Sequence, residues 1–384
     1  MLKVTFKVLF AMSLCTSAPI AVAASTNYQV RFFSPGVRAT VKILDVAVGD
    51  EYSLVKKTDG TWWGAGRNWA GSLGLGDNVD RTIYTKIPAI TGATKVLSKL
   101  ASTYALMPDG RVLAAGYNNG TFGNGGTTYG YSFTALPLPS DIDQIAVTGE
   151  SFFAHSRASG WFGAGQNYFG SLGVGDNNPR YTFVPVPALA TAVQVIGGQY
   201  TIYAKLASGA WWAGGMNVDG APGGAAPYRT TYQLVSNIPS NYTVYAGTEL
   251  FIKSPTNTWL AAGDNTYAGL GIGPTPPYSV DVLTARPDLN GATKAACGYR
   301  HCYVKFKDGF WYGTGQNIYG LYGVPFDPDY FVKMPGTSGA LEAYVGDYFS
   351  ILMFSGGSII GGGSALATGV STEPYLYNFR TLFP

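Results

Sequence analysis

Apolar residues in this chain fall in short bursts rich in Val, Ile, Tyr, Phe and Trp, each closed by Gly, Asn or Pro. SLVKK, YTIYAKL and CYVKF are one set of bursts, and TWWGA, AWWAG and FWYGT are a second set that follows soon after. Between the sets lies a turn residue: Gly60, Gly110, Gly209, Asn257, Gly309 or Gly357, usually preceded by Asp or Ser. Gly and Asn tolerate the positive φ of tight turns, so each pair of bursts predicts a β-hairpin. A glycine-rich loop follows, then an outer strand that contains Pro (84–88, 183–187 and 331–335), which sheet edges accept.

The pattern recurs. Residues 64–78, GAGRNWAGSLGLGDN, return as residues 163–177, GAGQNYFGSLGVGDN, with weaker copies between and beyond them. The central Gly of each G-x-N falls at Gly66, Gly116, Gly165, Gly215, Gly263 and Gly315, with a degenerate seventh at Gly363, so the step is 48–52 residues. A second Gly, at 49, 198, 298 and 346, precedes it by a fixed interval; Gly149 fits if the third repeat is one residue short, and Lys99 and Ala246 replace it elsewhere. About four strands in about 50 residues is the size of one propeller blade.

The combined pattern, a hydrophobic run, D-G-x-W, G-x-N-x-x-G and L-G-x-G-D, resembles the regulator of chromosome condensation repeat family. The likeness covers nearly everything after Val41. It implies an all-β fold, a seven-bladed β-propeller of about 50-residue repeats, with cores near 41–90, 91–140, 141–190, 191–240, 241–288, 289–338 and 339–384. Ser72 and Ser171 stand where the family has Gln, and the family's Gly-x-x-His turn survives at Gly298–His301 alone.

The first 24 residues depart from this rhythm. Lys3 and Lys7 precede an uncharged run that ends in Ala21-Val22-Ala23, the layout of a secretory signal. The mature chain is expected to start at Ala24 or Ser25, residues 25–384 forming one domain without a membrane span. Its charge is then close to neutral and no basic block remains, which argues against a phosphate-tracking surface and nucleic-acid binding. Segments 28–36 and 374–384 both resemble the outer strand, giving seven cores but eight outer strands. They are expected to clasp the ring by completing one blade from both ends.

Candidate chemistry is sparse. Of the two histidines, His301 is expected to hold its turn by a local hydrogen bond. His155 counts to a core column otherwise filled by Val55, Ala105, Ala204, Ile252, Val304 and Leu352, which makes it a buried neutral side chain or a channel ligand. No Ser or Cys pairs with either as a nucleophile, and neither catalytic residues nor a metal or cofactor site is expected. Asp77 and Asp176 read as turn residues. Cys297 and Cys302 flank a four-residue turn and form a hairpin disulfide or remain buried thiols. Asn119 and Asn241 match the glycosylation pattern.

Two functions follow. The first is a secreted, monomeric, non-enzymatic scaffold that binds a protein partner; the second is guanine-nucleotide exchange on a small GTPase, implied by the family resemblance. Compact spacing leaves little room for the wedge that exchange needs. Residues between the repeat Asn and the next Gly are free to vary, and they include Trp69, Tyr168, Phe169, Tyr267 and Tyr319. Aromatics give large contact area at low entropic cost, so these five form the expected recognition face.

Overall fold

The computed structural model describes residues 42–216, 228–273, 278–317, 320, 322, 327–369 and 375–382. They form seven four-stranded antiparallel sheets. In blade one, β1 (Ile43–Val48) lies innermost, followed by β2 (Tyr52–Lys57), β3 (Trp62–Gly66) and β4 (Arg81–Lys86). Blades two to seven repeat this order, always with sequence neighbours paired. The seven innermost strands surround a channel.

Alternation explains why the blades stack. In β2 and β3 most residues are buried and none is exposed, because each face meets a neighbouring blade, whereas β4 shows its outer face to solvent. Each apolar cluster therefore lies between two blades: Leu54, Trp62, Leu73 and Ile90 of the first repeat pack on Val96 and Ala105 of the second. Trp62, Trp161, Trp211, Trp259 and Trp311 occupy one column and are all but fully buried. Three of their indole N–H groups donate to the next blade's backbone: Trp62 to Ala93 O (3.5 Å), Trp259 to Ala292 O (3.2 Å) and Trp311 to Ala340 O (3.1 Å). One side chain thus fills an interface and fixes its offset.

The ring closes by packing. Blade seven supplies Phe349, Ile351, Ile359 and Leu382, blade one supplies Ile43, Val46, Val55 and Tyr84, and the two sets form a continuous core. The Ile43 amide donates to Gly357 O (3.0 Å), and the Ser53 hydroxyl donates to Ala367 O. The expected two-ended clasp is corrected in one respect. Tyr375–Thr381 is the outermost strand of blade seven, paired with Ile359–Ser364 in sequence order, so that blade needs no second chain end. Segment 28–36 lies outside the described residues.

Blade three corrects two further expectations. Ser151, not Phe152, pairs with Gly165 as Tyr52 pairs with Gly66, so Thr148 holds the place of Gly49. His155 consequently shares a column with Lys56, Lys205 and Lys305, near the edge of the hairpin, and not with core residues. Its Nδ1 lies 2.6 Å from Asp143 Oδ1, and its ring lies 5.2 Å from Trp161.

Candidate partner-binding face and channel mouth

The glycine-rich loop is built from its asparagine outward. Asn68 is fully buried; its Oδ1 accepts the Leu73 amide (2.8 Å) and its Nδ2 donates to Asp77 O (2.9 Å). Asn118, Asn167, Asn265 and Asn317 each accept the equivalent amide, at 2.9–3.2 Å. The loop then crosses to the next blade's outer strand. Gly76 N–H donates to Tyr131 O (2.8 Å), Gly125 to Tyr181 O (2.7 Å), Gly175 to Thr230 O (2.8 Å) and Gly273 to Asp329 O (2.9 Å). Such close approach needs glycine: at Gly71 (φ +82°) a Cβ would lie 2.6 Å from Tyr131 Cα. Asp77 and Asp176 brace the loop by accepting the amides two residues on and pairing with Arg81 and Arg180. The repeat motif is therefore an interblade stitch, and what it holds out to solvent is the variable pair after Asn.

That pair is not uniformly exposed. Trp69 and Tyr168 are 45% and 56% exposed, whereas Ala70 and Asn119 are buried. Phe169 is half-buried with its ring 5.2 Å from Tyr200, and Tyr267 is half-buried 4.4 Å from the Arg300 guanidinium. Tyr319 lies outside the described residues. Trp69 is joined by two residues that the sequence reading missed: Tyr117 at 6.1 Å and Tyr129 at 5.5 Å, the two tyrosines themselves 5.5 Å apart. Tyr117 is the middle residue of its own G-x-N, and only the offset between blades brings it to Trp69. Of the two residues in the glycosylation pattern, Asn119 is buried and donates toward Gly149 O at 3.5 Å, and Asn241 is exposed.

The same face contains the channel mouth. Backbone bonds link successive blades around it: Asp50 N–H to Leu100 O (3.2 Å), Gly149 to Gln199 O (2.6 Å) and Gln199 to Gly247 O (2.9 Å). Beneath lies a cavity of about 440 Å³ lined by Asp50, Lys99 and Asp347, among others. A second cavity of about 410 Å³ lies beside it, between Asp50, Glu51, Arg67, Trp69 and Tyr348. Burial and the neighbouring Asp347 push Asp50 up to about 8, and burial raises Asp347 against the pull of Lys99. Burial also pushes Glu150 up to about 7, opposed by the amides of Phe169 and Tyr168. Arg67 pairs with Glu51 at the edge. The mouth is thus a mixed-charge surface beside an aromatic patch.

Neither histidine adds reactive chemistry here. His301 does not make the local hydrogen bond expected of it: both ring nitrogens are buried without a partner among the described residues, against Tyr303 and Tyr322. Burial lowers its pKa to about 3, so the ring is neutral. Cys297 and Cys302 are joined in a disulfide between directly paired strand positions. Glu249 is the third residue at that bond; its Oε2 lies 3.3 Å from Cys302 Sγ. Glu249 stands in the previous blade, and no local motif pointed to it. With the sulfurs bonded to each other, the three do not form a metal-ligand set.

No family model and no curated protein sequence matches the chain. Solved structures do match in fold. Yeast RCC1 (Prp20), in its complex with Kap60, superposes with a TM-score of 0.69 at 19% identity over 84% of this chain and 80% of that one. Prp20p from Saccharomyces cerevisiae, described with its binding to Gsp1p and histones, gives 0.64 at 18% identity over 77% of each chain. Human WBSCR16 gives 0.60 at 16% identity over 90% of this chain and 83% of that one. The chain therefore has the RCC1-like seven-bladed propeller fold that its repeats resemble.

Proposed function

We propose that the chain is a non-enzymatic binding scaffold, exported after loss of residues 1–24, that recognises a protein partner through the loop face. One observation carries the reading: Trp69 and Tyr129 stand exposed around the half-buried Tyr117, beside a mixed-charge channel mouth on a stitched rim. Exposed aromatics flanked by paired charges are the usual make-up of an interface centre and its rim. Solved propellers of this fold support the reading in kind, since yeast RCC1 (Prp20) is found with Kap60 and Prp20p binds Gsp1p and histones. Nucleotide exchange is the second reading and rests on fold alone.

The test is capture with purified mature protein in its native compartment, followed by affinity measurement on the recovered partner. Trp69→Ala and Tyr168→Ala together should leave unfolding unchanged and weaken binding by at least about tenfold, because each replaces an exposed aromatic anchor. Equal affinity in the double variant would move the site off this face. If the partner is a small GTPase whose nucleotide release accelerates, the exchange reading replaces this one.

A further inference from the structure

The Cys297–Cys302 bond differs in its two ends. Cys302 is fully buried between blades five and six, with Ala295 and Phe251. Cys297 is half-buried on an innermost strand and lines the channel cavity of about 440 Å³. Its place in the ring is held by Val48, Ser98, Val147, Gly197, Ala246 and Val345 in the other blades. The backbone of blade five gives way for it: a Cβ on Gly247 would lie 2.6 Å from Cys297 Cβ. Glu249, 2% exposed, presents Oε2 to Cys302 Sγ at 3.3 Å. A disulfide sulfur has no hydrogen to donate to that oxygen, whereas a thiol has one, and 3.3 Å suits an S–H···O contact. The carboxyl is therefore placed where a proton must arrive or leave when the bond opens or closes.

We propose that Cys297–Cys302 is an exchange-active redox pair in which Cys297 takes the attack of a small thiol from the channel and Glu249 carries the proton for Cys302. The thiolate of the small thiol attacks Cys297 Sγ. The Cys297–Cys302 bond breaks, and its electron pair leaves on Cys302, which takes a proton from the Glu249 carboxyl. A second small thiolate attacks the small-thiol sulfur of the mixed disulfide; the electron pair leaves on Cys297, which takes a proton from channel water, and the small disulfide departs, so two small thiols are oxidised and two cysteines reduced. In the reverse direction Glu249 takes the Cys302 proton. The channel admits a small thiol to Cys297, while Cys302 has no solvent side. The bond also closes the base of the hairpin that presents Tyr299 and Arg300, whose guanidinium lies over Tyr267 on the loop face.

Reduction of the folded chain by glutathione or dithiothreitol, quenched with an alkylating agent and read by peptide mass, tests this. The first mixed disulfide should form on Cys297. In Cys302→Ser the remaining Cys297 should take up glutathione, and in Cys297→Ser the buried Cys302 should stay unmodified. Glu249→Gln keeps the shape but cannot carry the proton. It should slow reduction by about tenfold or more and remove the dependence on a carboxyl from the pH–rate profile. If that variant fails to fold, the order of modification in the two cysteine variants still decides. Glutathione on Cys302 first, reduction only after thermal unfolding, or identical pH–rate profiles for native and Glu249→Gln chains would overturn the proposal.

Discussion

Two glycines of the same loop separate the cost of backbone conformation from the cost of the interblade stitch. Gly71 and Gly76 both have positive φ, +82° and +91°, where an L side chain costs about 1–2 kcal/mol. They differ in surroundings. A Cβ at Gly76 meets only Ser132 Oγ, at 3.7 Å, whereas a Cβ at Gly71 meets Tyr131 Cα at 2.6 Å and Gly130 O at 2.9 Å, both backbone of the next blade. Backbone cannot rotate away as a side chain can, so Gly71→Ala must lift the loop. Lifting it strains the Gly76–Tyr131 bond, worth about 1 kcal/mol, and withdraws Leu73, whose burial contributes about 1.5–3 kcal/mol. Gly76→Ala should therefore cost about 1–2 kcal/mol and Gly71→Ala about 4–6 kcal/mol. Urea unfolding followed by tryptophan fluorescence measures both. Equal losses would mean that the loop is not held by its neighbour, and the stitch would lose its energetic role.

Deleting residues 375–384 removes the outer strand of blade seven and Leu382, a residue of the closing core, so the thermal midpoint should fall; an unchanged midpoint would show that this strand does not support closure. Stability should also fall as pH rises from 7 to 8. Unfolded Asp50 ionises near its ordinary 3.8, but the folded group keeps its proton up to about 8, and Asp347 and Glu150 are shifted the same way. Lys99 and Arg300 oppose the effect from neighbouring blades, and Glu51 adds to it. His301, lowered to about 3, acts in the opposite direction, but its contribution is complete above 6.5 and leaves this window clear. Asp50→Asn should flatten the slope of thermal midpoint against pH between 7 and 8, and an equally steep slope in the variant would remove Asp50 as its source.

What the sequence disclosed was whatever each repeat settles within itself. Strand bursts, hairpin turns and the G-x-N spacing are local, because a β-turn or an Asn-capped loop closes over a few residues, and seven copies average out the exceptions. The place where this reasoning slipped shows its limit. In the third repeat Gly149 follows the column of Gly49 instead of filling it, and a one-residue error moved His155 from a peripheral lysine column into the core. Strand register tolerates no such shift, since each residue changes face with the next.

The site was less legible because its parts meet only when blades are set side by side. Trp69 finds Tyr117 and Tyr129 one repeat later, and Glu249 reaches Cys302 across 53 residues. Asp50 and Asp347 couple because the first blade closes on the last. In each case the deciding quantity is the offset between neighbouring blades, which no stretch of one repeat encodes alone. The buried tryptophans and the glycine stitch set that offset together, one from the inside of the interface and one from its rim. The part that recurs from repeat to repeat thus builds the register, and the part that differs acquires its neighbours, and its chemistry, from that register.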